Sequence, residues 1–579
     1  MKTLLLVLCA VPLMAGCGAS GPIKARVAES PRTFCNPVNV DYRFMKIDGG
    51  DGIREAADPV VVEFGGRYYL FASKSSGYWH TEDFVEWTHV LIDDTVLPIE
   101  DYAPGLFVYD GYLYYVGSTH GKGMLYRSSA PEKGVWEPVK EIWSYWDPAF
   151  LVEGDNLYLY YGCSPVDPIY MRTLDLRTLE EKRGETVCFN SDKEHHGWER
   201  TGEYNELERR PYIEGAWMTA HDGRYYLQYA APGTEWKSYA DGAYVATSPE
   251  GPFTYMENSP VSYKPTGFLG GAGHGCLFTV GGDNYWKAAT NSISVRHMFE
   301  RRVSFYPAGF DDDGYMYTDT YMGDYPTYLP DSRCRRPGKA RPEWMLLSQG
   351  KRVTASSALD GYSADRAVDE DARTAWVAAS NGDGEWFEID LGALSSICAI
   401  QVNFDEYGAT HKGVVGGLYQ SYVIYASVDG ETWYAVADRS GKRSDTPHDY
   451  IEFEKPFKAR YVKLQNVAYT VSQNLSLRDL RVFGRGRGRR PQAADGLTVQ
   501  RDAADGCRVR LSWEAAKGAQ GYIVRYGIAP DKLYNNFHVA GGDTSLEIGS
   551  LNSGVEYYFT VDSYNECGIT RGRRMEACR

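Results

Sequence analysis

The chain has no CxxC pair, and its 11 cysteines are scattered without metal-ligand spacing, which speaks against a zinc or thiol-exchange site. Basic charge is in deficit as well. Sixty-one Lys and Arg against 77 Asp and Glu leave a net charge of −16, the wrong sign for gripping phosphates, so no nucleic acid is expected as a partner. The apolar run at residues 4–14, behind Met1-Lys2-Thr3, is too short to cross a bilayer as a mature helix and reads as a signal peptide.

What is abundant is glycine and aromatic side chain: 61 Gly and 14% Phe, Trp and Tyr in 579 residues. That length exceeds one ordinary core, and that composition favours several β-rich extracellular modules. One pattern recurs five times. An apolar strand opens at Asp58, Ala103, Asp147, Glu214 and His274, a Gly/Asp/Asn turn follows, and a tyrosine stands eleven positions on, at Tyr69, Tyr114, Tyr158, Tyr225 and Tyr285. Each copy reads as a β-hairpin. The 44 to 67 residues between successive openings suit a four-stranded blade, which predicts a five-bladed β-propeller with the opening residues converging at one mouth of the channel. Three carboxyls and an imidazole would then crowd a low-dielectric site, an arrangement that costs stability unless the shifted pKa values serve chemistry.

The motifs Ala57-Asp58-Pro59, Trp146-Asp147-Pro148 and Ile213-Glu214-Gly215, each followed by its Tyr-rich strand, resemble those of glycoside hydrolase family 43. Gly273-His274-Gly275 is similar to the family's axial histidine. Tyr102-Ala103-Pro104-Gly105 departs from the family's Ala-Pro-Asp and puts substrate contacts from that blade in question. The resemblance implies an inverting glycosidase with Asp58 as general base, Glu214 as general acid and Asp147 orienting Glu214 and raising its pKa. Inversion implies base and acid carboxyls roughly 6.5–9.5 Å apart. No cofactor is required for that chemistry. His274 has two readings, an organiser of water or an axial ion and a hydrogen-bonded core histidine. Trp79, Trp146 and Trp217 are candidates for stacking on a sugar, and propeller core is the other reading for each. The family implies an α-L-arabinofuranosidase first, with β-xylosidase or galactofuranosidase/galactanase activity as alternatives. A non-catalytic glycan-binding surface lipoprotein is the reading from another class.

Leu13-Met14-Ala15-Gly16-Cys17 resembles a bacterial lipobox, implying residues 1–17 as a lipoprotein signal, lipid on Cys17, a tether over 18–33 and an outer-membrane anchor with the facing side open. Cys9 leaves with the signal; the remaining nine cysteines read as small buried hydrophobes, with an occasional disulfide. The propeller is expected over 34–330 and a linker over 331–342. Residues 343–484, through Val353-Thr354-Ala355-Ser356-Ser357, Thr374-Ala375-Trp376, Phe387-Glu388-Ile389-Asp390-Leu391-Gly392 and Arg460-Tyr461-Val462, resemble an F5/8 type C (discoidin-like) jelly roll of the class that includes carbohydrate-binding modules. Asp369, Asp371 and Thr374 with the Ala367 carbonyl resemble the structural calcium site of such modules, hard oxygen donors suiting Ca²⁺; solvated loop acids are the alternative. A flexible basic linker is expected at 485–492. Residues 493–579, with Leu511-Ser512-Trp513 and Tyr557, match a fibronectin type III sandwich in which Trp513 is core and Tyr557 forms the corner. The fold class is therefore all-β, and the expected partners are a polysaccharide or oligosaccharide substrate and, through Cys17, a membrane.

Overall fold

The computed structural model describes residues 22–45, 50–99, 102–330, 340–413 and 415–579. The signal, the lipobox with Cys17 and most of the 331–342 linker lie outside the described residues. Secondary structure is almost wholly β.

Five antiparallel sheets follow one another along the first part of the chain. The first runs Val60–Phe64, Arg67–Phe71, Gly77–Thr81, Thr88–Leu91, and the next three are likewise four-stranded meanders. The fifth is built on Asn284–Ser292 and Arg301–Phe310. The opening strands of the first four sheets lie side by side, Gly270–Gly273 of the fifth lies against Arg224–Ala231 and Ala240–Ala246 of the fourth, and Leu277–Val280 of the fifth returns to Val60–Phe64 of the first, so the sheets close a ring in the manner of a β-propeller. Thr33–Phe34 pairs with Thr327–Tyr328 and ties the ends of this unit together. Packing between sheets is aromatic, as in the pairs Phe71–Tyr115, Phe107–Phe150 and Phe189–Tyr244.

Trp386–Phe404 and His448–Tyr469 are the long strands of an eight-stranded sheet whose core includes Trp376 and Phe387. Phe44, from the propeller side, is buried in that same core. The contact is deeply ionic. Arg302 reaches Glu406 at 2.8 Å and His448 at 3.0 Å, Arg54 reaches Asp445 at 2.7 Å, and Arg478 reaches Glu300 at 2.7 Å. Burial opposes ionisation of Glu406, yet Arg302, Arg478, Arg54 and Arg296 together hold its carboxyl well below the usual range. Breaking such a pair strands a buried charge, typically at about 3–5 kcal/mol, so the two units are locked together.

The last unit packs a three-stranded sheet against a five-stranded one. Trp513 is buried and the Tyr557 hydroxyl accepts the Asn552 N–H at 3.1 Å. Its core is continuous with that of the third and fourth propeller sheets.

Two expected linkers are not free chain. Residues 22–33 lie along the jelly roll, where Val27 bridges Phe453 and the Thr33 N–H donates to Glu452 at 2.9 Å; the apolar Ile23, Ala25 and Val27 pack on its core, which a solvated tether would not do. In 485–492 the Gly486 N–H donates to Glu566 O at 2.8 Å and Arg489 O accepts from Asn565 at 2.9 Å, so backbone pairing overrides the flexibility that Gly and like charge suggest. All eight described cysteines are free.

Candidate active site

Where the opening strands converge, the backbone is bent to the left-handed region at Asp58 (φ 53°), Ala103 (φ 42°), Asp147 (φ 54°), Gly215 (φ 60°) and His274 (φ 35°). Such φ values are costly for residues other than glycine, and each N–H is held from the neighbouring sheet. Thr290 Oγ1 accepts the Asp58 N–H at 2.8 Å, Ser73 Oγ the Ala103 N–H at 2.8 Å, and Ser118 Oγ the Asp147 N–H at 2.9 Å. Asp147 Oδ2 accepts the Gly215 N–H at 3.1 Å and Asp241 Oδ1 the His274 N–H at 2.8 Å. The ring of five bonds fixes the mouth of the channel.

This geometry corrects the fourth repeat. The hairpins turn at Phe64↔Arg67, Tyr109↔Tyr112, Glu153↔Asn156, His221↔Arg224 and Val280↔Asn284. Counting back from each turn aligns Asp58, Ala103, Asp147 and His274 with Gly215, not Glu214. A bulge between Glu214 and Trp217 inserts the extra residue, as bulges do where a side chain is re-aimed. The same count places Tyr226 and Trp286, rather than Tyr225 and Tyr285, level with Tyr69.

Asp58 is buried and fully partnered. Ser73 Oγ donates to its Oδ2 at 2.5 Å, while Arg301 Nη1 and His274 Nδ1 each lie 3.2 Å from Oδ1. Burial raises its pKa, but Arg301, His274 and the hydroxyl contacts outweigh burial and leave it below the usual carboxylate value. Asp147 goes the other way: burial, with Glu214 and Asp58 adding to it against His274, pushes it up to about 7. His274 Nδ1 is 3.9 Å from Asp147 Oδ2. Burial alone would lower the His274 pKa, but Asp58, Asp147, Glu214 and Asp241 raise it above the ordinary value, so the surrounding carboxylates favour the charged form of the imidazole. Half-buried Glu214 takes one hydrogen bond on each oxygen, from Tyr239 OH at 2.5 Å and Cys163 Sγ at 3.0 Å. One carboxylate held ionised and two others sharing a buried negative field are what acid–base chemistry on a neutral substrate requires.

Residues 53–316 match the family described as Glycosyl hydrolases family 43, and residues 352–480 match the F5/8 type C domain. The segment that matches family 43 is the one that holds Asp58, Asp147, Glu214 and His274. Among curated proteins, the β-D-galactofuranosidase xynD of Aspergillus niger is 25% identical over 263 residues, covering 40% of this chain and 72% of that protein. Lactadherin of Bos taurus is 32% identical over 103 residues, 16% of this chain. The chain spans 23% of lactadherin's length. A solved thermostable family-43 glycoside hydrolase aligns with TM-score 0.42 and 22% identity, covering 52% of this chain and 100% of that one.

Within this segment the three expected tryptophans separate. Trp79 is fully buried, with Nε1 donating to Asp41 at 2.7 Å; it is core and cannot meet a sugar. Trp217 is half-buried against three apolar clusters of the domain. Trp146 is half-buried beside Asp147, edge-on to His120 at 4.4 Å. Residues that the motifs did not reveal complete the surroundings. Tyr102 and Phe299 pair at 5.3 Å, and Phe299 lies under the Arg301 guanidinium at 4.8 Å. Arg301 also binds buried Glu55 at 2.9 Å. One signal was readable: Ser73 and Ser118 stand at the same offset after Asp58 and Ala103, the place from which the next opening is held.

In the F5/8 type C domain, Asp369, Asp371 and Thr374 share one loop with buried Ala367. Thr374 Oγ1 donates to Asp369 Oδ2 at 2.7 Å, and Asp371 Oδ2 faces Lys237 of the propeller at 3.5 Å. A second acidic group, Glu300, Asp405 and Glu406, is neutralised by the interface arginines.

Proposed function

We propose that this protein is an inverting glycosidase that removes terminal furanosyl or xylosyl residues from polysaccharide or oligosaccharide, α-L-arabinofuranose foremost. Its propeller is counted as five-bladed in this reading, from the five closed sheets. The observation that carries it is the unequal treatment of the carboxyls: Asp58 is held ionised by Arg301, His274 and Ser73, while Asp147 is pushed up to about 7 beside Glu214. Asp58 acts as base on water. Glu214, steadied by Tyr239, protonates the leaving oxygen, and Asp147 orients it through the Gly215 N–H and, once ionised, places negative charge beside it. His274, whose charged form the surrounding carboxylates favour, organises the axis between Asp58 and Asp147. Trp146 is the sugar-stacking candidate that keeps its place.

The Aspergillus niger relative is a β-D-galactofuranosidase, which supports a five-membered sugar ring and keeps β-D-galactofuranosides in the comparison. Purified protein assayed on nitrophenyl α-L-arabinofuranoside, β-D-xyloside and β-D-galactofuranoside decides the sugar. Activity on only the last two overturns the arabinofuranoside choice. Turnover unchanged in Asp58→Asn and Glu214→Gln overturns the enzyme reading itself and leaves a glycan-binding protein.

In the same reading Cys17 is lipidated and anchors the protein at the outer membrane, and residues 493–579 are a fibronectin type III domain, supported by buried Trp513 and the Tyr557 contact to Asn552. Calcium in the F5/8 type C loop would be held by Asp369, Thr374 and the Ala367 carbonyl, with Asp371 shared with Lys237.

A further inference from the structure

The loop following Asp369 reaches out of the F5/8 type C domain and into the propeller. Arg373 Nη1 pairs with Glu203, and its Nη2 lies 3.3 Å from Glu235 O and 3.5 Å from Ser292 Oγ. Glu203 in turn accepts the Lys237 N–H at 2.8 Å, and the Ala372 N–H donates to Phe268 O at 3.0 Å. Residues 233–239 are gripped at two points, Glu235 O directly by Arg373 and the Lys237 N–H through Glu203, and Lys237 Nζ also faces Asp371 at 3.5 Å. At one end of that segment Thr234 Oγ1 accepts from Arg301 Nη1 at 3.1 Å, the same nitrogen that contacts Asp58. At the other end Tyr239 holds Glu214. A second route leads to the same place: Arg302, the residue after Arg301, is bound by Glu406 and His448 of the F5/8 type C domain.

We infer that the F5/8 type C domain is a built-in support of the glycosidase site, and that Arg373 is a positioning residue acting through residues 233–239 on the partners of both Asp58 and Glu214. The inference rests on the glycosidase reading for its catalytic consequence, though not for the clamp itself. A module that only captured glycan would need no such grip on this segment, since retention near a polymer depends on effective concentration and tolerates a loose connection. Positioning does need it, because a displacement of about 1 Å at reacting groups costs on the order of a hundredfold in rate.

The test uses the full chain with Arg373→Ala, Arg373→Lys and the charge exchange Arg373→Glu/Glu203→Arg. Hydrogen–deuterium exchange is read first, because it needs no substrate. Residues 233–239 are expected to exchange faster in Arg373→Ala, while the rest of the propeller keeps its protection. Unchanged exchange in this segment overturns the clamp whether or not the protein is a glycosidase. On whichever aryl glycoside the wild type hydrolyses, kcat is expected to fall by about tenfold to a hundredfold with KM nearly constant, the acidic limb of kcat/KM is expected to rise in pH as Asp58 loses its fixed arginine, and the charge exchange is expected to recover part of kcat. A wild type inactive on every glycoside overturns the glycosidase reading and leaves the exchange result standing. Loss confined to polymer binding, with kcat and the pH profile intact, assigns the domain to capture and overturns the positioning role. Arg373→Lys, which keeps the charge, guards against a poorly folded alanine variant: faster exchange there with the global melt unchanged supports the clamp, and wild-type exchange in a folded Arg373→Ala overturns it.

Discussion

Gly215 lies so close beneath the His274 ring that a Cβ on it would stand 2.6 Å from the imidazole Cγ. The same residue has φ 60° and lends its N–H to Asp147. Gly215→Ala therefore combines left-handed strain with overpacking against a ring that two carboxylates hold in place. A loss of roughly 2–4 kcal/mol is expected, together with most of the activity. Gly223, at φ 72° with open space around its Cβ position, supplies the comparison: alanine there is expected to cost about 1 kcal/mol. Denaturant unfolding followed by tryptophan fluorescence separates the two, and equal losses would show that the His274 contact adds nothing.

Ser73 serves two sheets at once, donating to Asp58 and accepting the Ala103 N–H. In Ser73→Ala the ionised form of Asp58 loses a hydrogen bond, so its pKa rises and more acid enzyme carries a protonated base. The acidic limb of kcat/KM should move to higher pH, and the orphaned Ala103 N–H should cost about 1–3 kcal/mol of stability. A stability loss with no movement of the acidic limb would remove Asp58 from that limb.

The Asp-Pro openings could be read in the sequence because turn residue, apolar strand and Tyr-rich strand recur at fixed offsets, and position in the repeat places Asp58 and Asp147 correctly. Glu214 was found for the same reason, but its offset was wrong by one: a bulge changes register without leaving any mark in composition. The ring of Ser73, Ser118 and Thr290 was only partly legible, since serine in a Gly-rich turn has many uses. Docking of the domains was illegible. Arg302 and Glu406 are 104 positions apart, each looks like an ordinary surface charge, and nothing local marks them as partners. Aromatic residues misled in one instance: Trp79 sits in the third strand of the first sheet, where both faces are covered and Tyr78 and Trp79 are alike buried, so it is core.

That contrast gives a paired prediction. Trp79→Ala empties a fully enclosed site and takes one of two donors from Asp41, Arg43 remaining on Oδ2, so about 3–5 kcal/mol of stability is expected to go, with KM unchanged in whatever fraction remains folded. Trp146→Ala removes a half-buried ring next to Asp147. Its stability cost should be smaller, and KM should rise roughly two- to tenfold if the ring stacks on the sugar. An unchanged KM in Trp146→Ala would end its candidacy.

Asp147 makes the site less stable than it could be. Its pKa is pushed up to about 7 in the folded protein by burial and by Glu214 and Asp58, against about 3.9 in an unfolded chain. Between these values the folded protein binds more protons than the unfolded one, so the Asp147 contribution is full below about pH 4, falls as pH rises, and is spent above about pH 7. An asparagine in its place carries no charge and can still accept the Gly215 N–H through its carbonyl. The stability of Asp147→Asn relative to wild type should therefore grow from pH 4 to pH 7 by roughly 2–4 kcal/mol and then level off. From about pH 7 upward, where the wild-type carboxyl is ionised, its kcat on a substrate with a poor leaving group should be lower by about a hundredfold or more, because the charge beside Glu214 is gone. Urea unfolding of both proteins at intervals across this range measures the first effect, and steady-state rates on a natural oligosaccharide measure the second. A stability difference that stays constant with pH would mean that Asp147 titrates alike in the folded and unfolded chains, and the electrostatic division among Asp58, Asp147 and Glu214 would have to be abandoned.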